Sequence, residues 1–90
     1  MRVMFQVHGR VQGVGFRAFT RDAARTLSLS GWVANEWDGT VSGQAEGSPE
    51  ALARFREHLA EGPPWAHVVR VDWDLRDGGE FLPFPFRIHP

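Results

Sequence analysis

Between Val7 and Phe16 the spacing of apolar residues switches from every second position to every third or fourth, across a segment holding Gly9, Gly13 and Gly15. Before the switch, Val3, Phe5 and Val7 alternate with Met4, Gln6 and His8, which predicts a half-buried strand over Arg2–His8. After it, Phe16, Phe19, Ala23 and Leu27 form one apolar stripe, with Arg17, Arg21, Asp22 and Arg25 off it. That is a helix starting at Phe16, fraying near Ser28 to Ser30 and stopping before Gly31. Gly9 to Gly15 interrupt both patterns and predict a glycine-rich loop between strand and helix.

The rest of the chain repeats these signals in a different order. In "GWVANEWDGTVSGQAEG", Asp38-Gly39 predicts a type I′ turn between strands over Gly31–Glu36 and Thr40–Glu46. In "SPEALARFREHLAEG", Ser48 suits a helix N-cap, Pro49 the first helical position, Glu50 the positive dipole end, and Gly62 the stop. Leu52, Phe55 and Leu59 predict its buried stripe. After the stiff "GPPWAH" connector, Val69, Val71, Trp73 and Leu75 alternate with Arg70, Asp72 and Asp74 as a fourth strand, broken by "RDGGE". Phe84, Phe86 and Ile88 then alternate with Pro85 and Arg87, and the prolines predict an edge position. The order is βαββαβ plus a short final strand. Two helices of this length cover one face of an antiparallel sheet, so the expected class is α+β, a ferredoxin-like split βαβ sandwich.

Ninety residues make a single domain, 1–90, which buries roughly 60% of its unfolded surface. The formal net charge of −1 argues against broad attraction to nucleic acid or to an anionic membrane. There is no cysteine, which excludes disulfides, thiolate nucleophiles and zinc ribbons, and every basic residue is arginine, which excludes a Schiff-base or phosphate-loop lysine. "MRVMFQV" lacks the apolar core of a signal peptide, and no apolar run reaches spanning length. The expectation is a cytoplasmic monomer.

The glycine loop runs straight into the start of a helix, whose first amides lack intrahelical partners and carry the positive end of the dipole. Glycines let successive N–H groups converge on an anion. Arg17 at that end is mildly destabilising, by about 0.3–1 kcal/mol, unless an anion lies beside it. With a phosphate or carboxylate bound, its guanidinium adds a bidentate contact. The alternative is a tight turn followed by a solvated arginine. No Walker lysine is present, Ala18 replaces the third glycine of a dinucleotide fingerprint, and a cysteine-phosphatase cradle would need its missing cysteine.

"GRVQGVGFR" followed by "GWVANEWDGTV" resembles the acylphosphatase family, small enzymes that hydrolyse the carboxyl–phosphate bond of acyl phosphates. The likeness runs through the whole chain, including the order of elements. It implies that the loop backbone of Gly9, Arg10, Val11, Gln12, Gly13, Val14, Gly15 and Phe16 binds the phosphoryl group together with Arg17. It also implies that Asn35, the only asparagine, positions the attacking water. The implied partners are an acyl phosphate substrate and inorganic phosphate as product and competitive inhibitor, with no metal, no cofactor, no nucleic acid and no membrane. A basic residue is common in the family where this chain has Ala34, and Trp37 is also less usual. Alternation puts Ala34 on the face opposite Asn35.

The remaining candidates point elsewhere. His8, His58, His67 and His89 are scattered over the elements and suggest no metal cluster, although His8 adjoins the loop and can tune its potential. Asp72 and Asp74 share one strand face and read as a solvated face. An RNA-binding module would need aromatics on the central strand, and "TVSGQAEG" has none. The remaining rivals are a non-catalytic anion-binding module and an acylphosphatase-like unit serving a larger carbamoyl-phosphate-processing enzyme; a ninety-residue chain with both Arg17 and Asn35 favours an independent hydrolase.

Overall fold

Val3, Phe5 and Val7 are all but completely buried because they face two helices, while Met4, Gln6 and His8 on the alternate face stay half-exposed. This pattern organises the computed structural model, which describes residues 1–90. The elements are β1 (Arg2–Arg10), α1 (Phe16–Thr26), β2 (Ser30–Asn35), β3 (Val41–Glu46), α2 (Pro49–Glu61), β4 (His67–Arg76) and β5 (Arg87–Ile88). The strands form one sheet in the order β4-β1-β3-β2-β5. β1 pairs antiparallel with β3 and β4, β2 antiparallel with β3, and β5 parallel with β2 at the edge. This is the ferredoxin-like βαββαβ sandwich with a final strand, as expected.

Phe55 anchors the layer between sheet and helices, meeting Phe5 edge-on at 5.4 Å and Phe86 at 5.9 Å. Burying such a ring contributes about 1.5–3 kcal/mol, so these aromatics account for much of what a small core can supply. α2 follows its sequence punctuation: Ala51 N–H donates to Ser48 Oγ at 3.1 Å, Pro49 is the first helical residue, and Gly62 ends the helix at φ 72°. Leu52, Phe55 and Leu59 are its buried residues.

Several local expectations are corrected. β1 does not stop at His8 but runs through Gly9 and Arg10, with a bulge against β4 between His8 and Gly9. Gly9 lies at φ 130°, and a Cβ there would sit 2.1 Å from the His67 carbonyl oxygen, so only glycine lets β1 continue so close to β4. The bulge turns Val69 outward and brings Val68 against the core instead. In α1 the buried line is Phe16, Thr20 and Ala24, with Phe19, Ala23 and Leu27 on its flank, because small side chains bring the helix axis closest to the sheet. The β2–β3 turn is not type I′, which needs positive φ at both central residues. Only Gly39 has it, at 91°, and Gly39 N–H donates to the Glu36 carbonyl at 3.2 Å, so Trp37 and Asp38 are the central residues. Phe84 is exposed, as are Leu75, Trp37 and Trp65, so of the expected Phe84, Phe86 and Ile88 stripe only Phe86 and Ile88 face inward.

Candidate active site

β1 ends at Arg10, and Val11 to Gly15 carry the chain from the sheet edge to the first turn of α1. Gly13 and Gly15 take φ values of 75° and 79°. A Cβ at either position would meet nothing within 4 Å, so glycine is required for backbone conformation and not for space. Gly15 is the N-cap of α1 in the left-handed region, offers no side-chain acceptor, and is followed by no acidic residue in the first turn. None of the N–H groups from Val11 to Ala18 donates to a backbone carbonyl, and the first amide of α1 to do so is that of Phe19, to Gly15 at 3.0 Å. A run of amides without backbone acceptors thus leads into a helix end that has no acidic residue in its first turn.

Beside this segment lies a cleft of about 240 Å³. Gly13, Gly15, Arg17 and Ala18 line it from the loop and helix, Asn35 from the end of β2, and Ile88 from β5. The nearly inaccessible Val11 and Phe16 form its floor. Arg17 is half-buried and takes part in none of the ion pairs of the molecule. Asn35 is exposed and pairs with Val41 across the hairpin. The lining holds one cation and no carboxylate. Arg17 and Asn35, eighteen positions apart in sequence, thus share one small cationic cleft with the free amides.

The side chains of the other candidates lie elsewhere. Gly9 and Arg10 belong to the β1–β4 ladder, paired with Val68 and His67, so the loop proper starts at Val11. Val14 packs on the core. The Gln12 side chain turns away from the cleft to the β2–β3 hairpin. His8 points to the opposite sheet face, where its Nε2 is 2.8 Å from Asp72 Oδ2, and Arg70 contacts both. It therefore does not face the loop. Ala34 is buried on the face opposite Asn35, as alternation implies. Two positions escaped the sequence reading: Ile88 as a wall and Gln12 as a tie, both of which depend on contacts between distant segments.

The carboxylates with perturbed protonation also sit outside the cleft. Hydrogen bonds from the Thr40 hydroxyl at 2.6 Å and the Thr40 N–H at 3.0 Å hold the Asp38 carboxyl below the usual range. His8, and after it Arg70, do the same for Asp72. Both depressed groups support the fold above their unfolded values, and that support fades as pH falls through the folded ones. A wider hollow on the helix-free face is lined by Trp32, Trp37, Glu36, Asp38, Asp72 and Asp74 among others, and by no arginine. Its carboxylates repel phosphate, so the smaller cleft is the one suited to an anion.

The acylphosphatase family model matches residues 3–83. An acylphosphatase of Salinibacter ruber is 51% identical over 79 residues, covering 88% of this chain and 83% of that protein. The solved structure of an acylphosphatase from Bacillus subtilis superposes with a TM-score of 0.93 at 37% identity, covering 99% of this chain and 98% of that one. One from Coxiella burnetii gives 0.90 at 36% identity, covering 98% and 90%. With the family model spanning most of the chain and relatives about half identical over most of both lengths, the chain belongs to the acylphosphatase family.

Proposed function

We infer that this chain hydrolyses the carboxyl–phosphate bond of acyl phosphates to a carboxylate and inorganic phosphate. The observation that carries the reading is the joint placement of Arg17, Asn35 and the free loop amides in one cleft without a carboxylate. The amides of residues 11–18 and the Arg17 guanidinium take the phosphoryl oxygens, which bear the charge of the loose transition state. Asn35 orients a water, its amide carbonyl accepting and its NH₂ donating, without any change of protonation. The water oxygen bonds to phosphorus, in line with the departing group, as the bond from phosphorus to the acyl oxygen breaks. The carboxylate leaves with the electron pair and needs no general acid. The water proton passes to a phosphate oxygen, so no side-chain base is required. The chain works as a monomer in this reading, and the cytoplasm suits it because a charged acyl phosphate does not cross a bilayer unaided.

Metal-independent turnover is part of this reading, and the lining of the cleft supports it. The cleft offers no His, Asp or Glu, and nowhere do three such side chains gather in a geometry suited to a cation. Turnover of benzoyl phosphate, followed by its absorbance, is expected to persist after exhaustive EDTA treatment. Loss of activity on chelation and recovery with magnesium would overturn the water-positioning account. Absence of benzoyl phosphate turnover would overturn the function itself.

A further inference from the structure

We propose that Gln12 is a positioning residue that sets the distance between the phosphate loop and Asn35, and so controls catalysis separately from phosphate binding. This rests on the hydrolytic reading above. The Gln12 Nε2 group donates to the Glu36 carbonyl at 2.8 Å and to the Thr40 carbonyl at 2.9 Å. Both acceptors are carbonyls, so the orientation of the amide is unambiguous: the NH₂ must face the hairpin. Glu36 directly follows Asn35, and Thr40 directly precedes Val41, the β3 partner of Asn35. Gln12 therefore holds the two residues that flank the Asn35–Val41 pair, from a position inside the loop that faces the anion.

The hairpin end it grips is stiff. Thr40 carbonyl also accepts from Glu36 N–H at 2.9 Å, which closes the turn. Thr40 Oγ1 donates to Asp38 and accepts from Gln6 Nε2 at 2.9 Å, and the Glu36 carboxylate accepts from Ser42 Oγ. Displacement of the loop relative to this end therefore shifts Asn35 relative to the phosphate as a block. In-line attack depends steeply on such placement, since an error of about 1 Å can cost 10²-fold. The loop amides and Arg17, which bind the phosphate, do not depend on the hairpin. Gln12 supplies the only side-chain hydrogen bonds that join the loop to it.

The test compares Gln12→Met, which keeps the volume and removes the donor, in the wild-type and Asn35→Ala backgrounds, with benzoyl phosphate as substrate and inorganic phosphate as inhibitor. Gln12→Met is expected to lower kcat roughly tenfold or more, with the phosphate inhibition constant and the thermal midpoint little changed. In the Asn35→Ala background it is expected to lower kcat no further, because residues that act through one another are not additive. Gln12→Glu supplies a second readout: as a carboxylate it opposes the two carbonyls, and once protonated it regains one donor. Its activity relative to wild type is expected to rise as pH falls through the carboxyl pKa. An equal loss in both backgrounds, a parallel loss of phosphate binding, a wild-type kcat, or failure of both variants to fold overturns the proposal. Failure of the hydrolytic reading is distinguishable, because the wild-type chain would then not turn over benzoyl phosphate.

Discussion

Arg17→Ala is expected to remove nearly all acyl phosphate turnover and to weaken competitive inhibition by inorganic phosphate in parallel. Arg17 is the only cation lining the cleft, and it stands at the positive end of α1 without an ion-pair partner in the chain. Removal of one oriented donor from such a site costs about 3–4 kcal/mol, or 10²- to 10³-fold in rate, and a guanidinium that carries full charge exceeds that. The fold should be preserved or slightly stabilised, because a cation at a helix N-terminus opposes the dipole when no anion is bound. Thermal melting of the variant alongside kcat and the phosphate inhibition constant checks all three expectations. A folded Arg17→Ala protein with near-normal turnover would remove the cleft from the mechanism.

Asn35→Ala is expected to separate catalysis from binding. Asn35 ends β2, its side chain is exposed at the cleft, and Val41 holds its backbone across the hairpin, so truncation leaves the strand intact. Loss of the group that orients the water is expected to lower kcat by roughly 10²-fold or more. The inhibition constant for phosphate should change little, since the loop amides and Arg17 remain. A parallel collapse of both constants would make Asn35 a binding or structural residue. If neither constant moves, the nucleophile is oriented by another group.

Much of this architecture is legible in short stretches. The caps of α2, the alternation of Val3, Phe5 and Val7, and the glycine-rich approach to α1 are local patterns whose physics acts within a turn or a strand. Arg17 is legible for the same reason: a cation behind glycines at a helix start calls for an anion nearby. Other positions mislead because their neighbours in space are distant in sequence. Gly9 resembles a loop residue until β4 passes close enough to need it in a bulge. Val69 fits an inward stripe until that bulge shifts the register and Val68 takes the core position.

Asn35 enters as a candidate only through the family resemblance, whereas the amino-acid order alone settles the succession of elements, the single sheet face covered by helices and the conformationally required glycines, and points to Arg17 as an anion-binding candidate. Each depends on side-chain period, capping chemistry or backbone freedom, which are properties of a few consecutive residues. Tertiary structure decides that Arg17 and Asn35 meet in one cleft, that Ile88 walls it, that His8 faces the other way, and that Gln12 ties the loop to the hairpin. These are matters of strand order and register. β1 and β2 are parallel with β3 between them, which brings their C-terminal ends to the same edge of the sheet, and only that pairing places the loop after one beside the asparagine that ends the other.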